Sequence, residues 1–190
     1  MLASLMFMAP GREAVAMVGS ATAARSFAAG LFRHALAEET SVIIVAEIDA
    51  DPVGFAEISH GGDMPSFSVV ARAGVDAMGL VGALRAAWRS LARMKVDLPA
   101  PAGGAHLVEL QVSPQHRSRG IGAFLLGEVD VYALEQRAAH ISLTTATDNP
   151  ARRLYERHGY RVARERTNGR YERITGSAGR VLMVKPVGAH

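Results

Sequence analysis

Hydrophobic positions along this 190-residue chain change their period several times, and each change marks an element. Residues 20–37 set Phe27, Leu31 and Leu36 among alanines, the spacing of one or two helices with a modest apolar face. Past Thr40-Ser41, the β-branched run Val42 to Ile48 predicts a buried strand. Asp49-Ala50-Asp51-Pro52 then reads as a turn and Val53 to Ile58 as the antiparallel partner. Gly61-Gly62-Asp63-Met64-Pro65 reads as a loop. A helical stripe follows from about 78 to 95, with Val81, Leu84, Trp88 and Leu91 on one side and Arg85, Arg89 and Arg93 on another. Asp97 to Gly104, rich in Pro, Ala and Gly, is a flexible connection.

The sharpest changes of period lie between His106 and Tyr160. Alternation puts His106, Val108, Leu110 and Val112 on one face of a strand and Leu107, Glu109 and Gln111 on the other. Ser113-Pro114 stops that strand. Arg117-Ser118-Arg119-Gly120-Ile121-Gly122 then turns the chain into an amphipathic helix from about Gly120 to Arg137, with Leu125, Val129 and Tyr132 or Ala133 facing inward. Two glycines let the backbone approach a ligand without an intervening Cβ, and the helix start offers unpaired N–H groups and partial positive charge. The loop is therefore a seat for a phosphate or pyrophosphate. It is not a Walker loop, because Ala123-Phe124 stand where Lys and Ser or Thr are needed, and it lacks the third glycine of the dinucleotide fingerprint, where Leu125 stands.

A strand over 140–147 follows, and a strand-helix-strand unit of this length implies parallel pairing of 106–112 with 141–146 through a right-handed crossover. Asp148 or Asn149 caps a short helix over 149–158, with Pro150 in its first turn and Gly159 as terminator. Residues 161–165 and 180–185 form a last antiparallel pair, and the polar, glycine-dotted stretch 166–179 between them reads as a mobile loop.

Strand, Arg-x-x-Gly-x-Gly loop, helix, strand and capped Leu-Tyr helix in this order resemble the GNAT superfamily of acyl-coenzyme A-dependent N-acetyltransferases, over about Val42 to Lys185. Asp148 to Tyr160 is similar to the family's Asn-x-x-Ala-x-x-Leu-Tyr-x-x-x-Gly-Phe signature. It departs from it at Asp148, where the family has Asn and this chain has Asn149 one step later, and at Tyr160, which replaces Phe. The resemblance implies a mixed α/β fold: a mostly antiparallel twisted sheet with a central parallel strand pair and flanking helices. It also implies one domain over 1–190, with a helical insertion near 62–104. That insertion reads as a packed helix with a solvated arginine face, the alternatives being a lid over the acceptor site or a homodimer surface.

The resemblance further implies acetyl-coenzyme A as cosubstrate and a primary amine of a small molecule or protein as acceptor, attacking directly in a ternary complex. The cofactor's pyrophosphate falls to the backbone of Arg117, Ser118, Arg119, Gly120, Ile121, Gly122 and Ala123. Its pantetheine arm falls to the strand end at Leu110, Gln111 and Val112, with a polar contact from Asp148 or Asn149. Tyr155 matches the tyrosine that the family uses as general acid to the departing thiolate. Glu109 and His106 are the candidate bases. Strict alternation sets them on opposite faces, so only one points at the site unless the strand is bulged, and removal of the amine proton through water needs neither. The alternative from another class is a non-catalytic acyl-coenzyme A-binding or sensor module.

Composition narrows the remaining classes. Zero cysteines remove a disulfide framework and a thiolate nucleophile. Forty-nine per cent hydrophobic and 21% charged residues sit in the globular range, and no unbroken run of about 18 apolar residues exists to span a bilayer, so no membrane partner is expected. The net charge is only +3 although the pI is near 9.7, because the basic residues are arginines apart from Lys95 and Lys185. Their dispersal and the few aromatics disfavour a nucleic-acid partner. The histidines lack ligand spacing, so no metal is expected. Met1 to Pro10 superficially resembles a signal peptide but has no positive start. It reads as a first strand or a loosely held terminus, which favours a cytoplasmic location.

Overall fold

The computed structural model describes residues 10–37, 41–60 and 66–188, so the readings for the first nine residues and for the loop at 61–65 lie outside the described residues. The element order is α1 (Arg12–Val18), α2 (Ala21–Ala37), β1 (Ser41–Ile48), β2 (Asp51–His60), α3 (Phe67–Met94) and β3 (Ala105–Val112). A 3-10 turn (Pro114–His116) leads to α4 (Ile121–Glu135), β4 (His140–Ala146), α5 (Arg152–Arg157), β5 (Arg161–Thr167), α6 (Gly169–Thr175) and β6 (Gly179–Pro186).

Among the described residues the six strands form one mixed sheet in the order β1-β2-β3-β4-β6-β5. Only β3 and β4 run parallel, and every other neighbouring pair is antiparallel. This is the mixed α/β fold with a central parallel pair that the motifs implied. The β1–β2 hairpin and the β5–β6 pair lie where the sequence reading put them.

One face of the sheet is closed by α4 and α5. Leu125, Leu126, Val129 and Ala133 of α4 are fully buried against Ile58, Leu107, Ile141 and Met183, and Tyr155 and Tyr160 complete this cluster. Burying each such leucine contributes about 2–3 kcal/mol, which anchors the start of α4 against the sheet. The other face carries α1, α2, α3 and α6, where Met17, Ala92, Val96 and Tyr171 form a second, smaller cluster.

Two readings are corrected. The stretch 166–179 holds a capped helix, α6, in place of a mobile loop: Asn168 Oδ1 accepts from the N–H groups of Arg170 and Tyr171, both at 3.1 Å, and Gly176 ends the helix in the left-handed region. Helix α3 begins at Phe67, well before 78. The inward side of its first half is Ala and Gly, which pack closely on α2 but leave no large apolar stripe to read, and Gly79 breaks the helix with φ 69° and ψ 173°. The reading that no unbroken run of about 18 apolar residues occurs stands beside a second fact: by length and mean composition α3 is long and apolar enough to cross a bilayer, with 6% of the qualifying window buried. A search for unbroken apolar runs misses it because single charges such as Arg72 and Asp76 interrupt the sequence.

Candidate active site

The parallel pair is short. Ala105, His106 and Leu107 pair with Ile141, Ser142 and Leu143, and there the ladder ends. Beyond it, Gly54 to Glu57 of β2 pair with Glu109 to Val112, and β6 pairs with Thr144 to Ala146, so the facing edges of β3 and β4 have no strand between them. Unpaired backbone N–H and C=O groups in such a fork are donors and acceptors in search of an extended partner. A ligand at the carboxyl ends of parallel strands is the usual consequence of this geometry.

The fork opens where β3 is bulged. Glu57 lies opposite Glu109 and Ile58 opposite Leu107, which leaves Val108 as the extra residue. A bulge resets the alternation. Ala105, Leu107, Leu110 and Val112 therefore face the α4 side, while His106, Glu109 and Gln111 share the other face beside Ser59, Glu57 and Phe55. The strict alternation read from the sequence is corrected: the two candidate bases lie on one face.

Their environments differ. His106 Nδ1 is 2.9 Å from Ser142 Oγ, and burial, with Arg180 nearby, pushes its pKa down to about 4. Glu109 is open to solvent, yet the surrounding walls strip enough water from its carboxylate to raise its pKa. The Gln111 amide, donating at 2.8 Å, opposes that rise, while Glu57 and Glu13 add to it. Glu57 is also raised, by burial, against a hydrogen bond with Ser41. Opposite stands Tyr155 on α5, buried and in edge contact with Tyr160 at 6.0 Å between ring centroids. Burial and, after it, the charge of Glu109 push its phenol up to about 12.

The loop into α4 has the geometry of an anion seat. Ser118 has φ 60° and Gly120 φ 85°, and the first helical bond runs from Phe124 N–H to Gly120 C=O at 2.9 Å. The amides of Ile121, Gly122 and Ala123 precede it and have no helical acceptor. The two glycines serve different ends. A Cβ on Gly120 would meet nothing within 4 Å, so its requirement is the left-handed backbone and open space above it, whereas a Cβ on Gly122 would lie 3.0 Å from Leu154 Cδ2. Gly122 thus lets α4 and α5 close on each other. Arg119 is exposed, and Arg117 turns back to donate from Nε to Val112 O at 3.1 Å, so that the strand end and the loop are tied together.

Asp148 and Asn149 are occupied within the protein. Asn149 donates from Nδ2 to Thr145 Oγ1 at 2.6 Å and accepts from Ala151 N at 2.9 Å, which caps the turn ahead of α5. The helix itself starts at Arg152, later than the spacing predicted. A hydrogen bond with Ser177, and after it the Arg12 guanidinium, hold the Asp148 carboxyl below its ordinary range.

Sequence reasoning missed Glu57, Glu13, Ser142 and Arg180. Arg180, almost wholly buried, donates to Glu13 Oε1 at 3.1 Å and to Thr144 O at 3.0 Å, joining α1 to the floor beneath His106. Glu57, a lone charge in an apolar strand, carried a signal, but its cross-strand partner depends on the register. No group of three or more His, Cys, Asp or Glu able to hold a metal occurs among the described residues.

The model of the acetyltransferase (GNAT) family matches residues 16–160. No curated protein sequence matches. Among solved structures, the fold is similar to that of a candidate GNAT-family acetyltransferase from Desulfovibrio desulfuricans (17% identity, 98% of this chain and 94% of the other, TM-score 0.57). It is also similar to the ribosomal-protein-S18-alanine N-acetyltransferase of Escherichia coli (17%, 83% and 77%, 0.52). A third similar fold is a GNAT family acetyltransferase from Elizabethkingia anophelis with acetyl-CoA bound (13%, 82% and 81%, 0.52).

Proposed function

Because this chain belongs to the GNAT acetyltransferase family, we propose that it transfers an acetyl group from acetyl-coenzyme A to a primary amine of a small molecule or protein, by direct attack in a ternary complex. The observation that carries the reading is the fork between β3 and β4, with the bare amides of α4 at its mouth and Glu109 on β3 and Tyr155 on α5 beside it. Acetyl-coenzyme A fits these residues. Gly120 leaves open space where a side chain would stand, the amides of Ile121, Gly122 and Ala123 suit a diphosphate, and Arg119 adds charge. The unpaired edge of β3 at Leu110 to Val112 suits the amides of the pantetheine arm, which adds to the sheet as an extended strand would. Asp148 and Asn149 shape the turn, and Arg117 braces the loop.

The cosubstrate supplies an activated acyl group with a thiol leaving group, and the chain does the rest by position and electrostatics. Backbone N–H groups of bulged β3 polarise the carbonyl. The amine needs to lose a proton, and Glu109 is the better acceptor: its raised pKa moves it toward the working pH, whereas His106 at about 4 is too weak a base. His106 instead stays neutral and holds Ser142. Glu57, across from Glu109, adds negative charge that draws a cationic amine to the mouth. As the nitrogen–carbon bond forms and the carbon–sulfur bond breaks, Tyr155, which keeps its proton through the neutral range, donates to the leaving sulfur. The test is thiol release by the purified chain with acetyl-coenzyme A across amino acids, polyamines, aminoglycosides and peptide amino termini. Release stimulated by at least one amine supports the reading; tight cofactor binding with no stimulated release makes the chain a sensor.

A further inference from the structure

Among the described residues, the second half of α3 leaves six large apolar side chains exposed: Leu80, Val81, Leu84, Trp88, Leu91 and Met94, each between 45% and 68% exposed. Single exposed hydrophobes are ordinary, but a contiguous apolar stripe marks an interaction surface. Val81, Leu84, Trp88 and Leu91 recur at intervals of three, four and three residues and so line one side of the helix. The helix is held on its inner side. Arg89 donates to Ala16 O at 3.1 Å, Arg93 pairs with Glu13, Ala92 is buried, and α6 sends Arg170 over the Trp88 ring at 4.6 Å.

Charge decides what the stripe fits. Between Leu80 and Lys95 there are four cationic residues, Arg85, Arg89, Arg93 and Lys95, and no carboxylate. Arg89 and Arg93 are turned to α1, on Ala16 O and Glu13, which leaves Arg85 and Lys95, with Arg170 beside Trp88, as the cations that border the stripe. A second copy would bring Arg85, Lys95 and Arg170 against the same three cations, with no carboxylate from Leu80 to Lys95 to answer them, so self-pairing is disfavoured. An anionic lipid surface answers both features: a helix with Leu and Trp on one side and Arg beside them lies in the headgroup plane and gains from apolar burial and from charge. The break at Gly79 divides the helix, which suits lying on a bilayer better than crossing it.

We infer that the exposed face of α3 from Leu80 to Met94 docks side-on to the surface of an anionic membrane. Trp88 is the chain's single tryptophan, so its fluorescence reports the contact directly. The experiment titrates the full chain with vesicles of phosphatidylcholine alone and with vesicles containing phosphatidylglycerol, following Trp88 emission and co-sedimentation. The expected result is a blue shift and sedimentation with phosphatidylglycerol vesicles only, weakened by high salt. Leu84→Glu, at a side chain 63% exposed and remote from the fold's core, should lower partition about tenfold, as should Arg85→Glu. Both variants should keep the wild-type thermal midpoint and its shift on adding coenzyme A, which shows that the fold is intact. No binding to either vesicle, equal binding to both, or a blue shift without vesicles that grows with protein concentration and accompanies a dimeric mass would overturn the inference.

Discussion

The two faces of the sheet are built in different ways. On the α4 side, backbone and hydrocarbon do the work: bare amides, a left-handed glycine, a forked strand edge and fully buried leucines. On the α1, α2, α3 and α6 side, ionic side chains from remote parts of the chain converge, with Glu13, Glu57, Glu109, His106 and Arg180 in one electrostatic neighbourhood. A backbone-built site binds what is common to every acyl-coenzyme A, a diphosphate and a chain of amides. A side-chain-built site tells one acceptor from another. We propose that the first face recognises the cofactor and the second chooses the acceptor.

The strongest way to break this division is Gly120→Asp. A carboxylate placed over the amides, on a backbone with φ 85°, should weaken coenzyme A by at least about a hundredfold in calorimetry, since it repels phosphate and strains the turn. Undiminished affinity would remove the anion seat. Tyr155→Phe should lower kcat about a hundredfold while leaving coenzyme A affinity unchanged, which steady-state kinetics beside calorimetry would separate. Equal rates would leave Tyr155 a packing residue.

A third test concerns His106. Its folded pKa of about 4 lies below the unfolded value of 6.5, so on acidification the unfolded chain takes up the proton first. Stability is unaffected above pH 6.5 and falls as pH drops from 6.5 toward 4, by about 2 kcal/mol after allowance for partial exposure. Urea melts of His106→Asn across that window should show a shallower acid loss than wild type. The smallest effect is expected of Glu57→Gln: a rise of about threefold in KM for a cationic amine, with KM for acetyl-coenzyme A unmoved. A change in the cofactor's KM alone would blur the two faces.

The same division explains what was legible in the sequence. Glycine, proline and caps write backbone geometry into local sequence, so the loop at Arg117 to Gly122, the helix ended by Gly159 and the parallel pairing of the strands around them could be read directly. The bulge at Val108 left no such mark. It arises from how β2 and β3 register, and with it went the shared face of His106 and Glu109. The cluster of Glu13, Glu57 and Arg180 joins residues more than a hundred positions apart, and periodicity has nothing to say of such contacts. Helix α6 was the avoidable miss, because Asn168 and Gly176 are an ordinary start and stop pair around Tyr171 and Ile174. The first half of α3 was hidden by its small residues.

The central claim is that the β3–β4 fork and the start of α4 grip acetyl-coenzyme A. A nitrogen-15 NMR titration of the full chain with coenzyme A tests it most directly. The account predicts shifts concentrated at the amides of Arg119 to Ala123 and of Val108 to Val112. Shifts confined to other elements, or none at saturating coenzyme A, would contradict it.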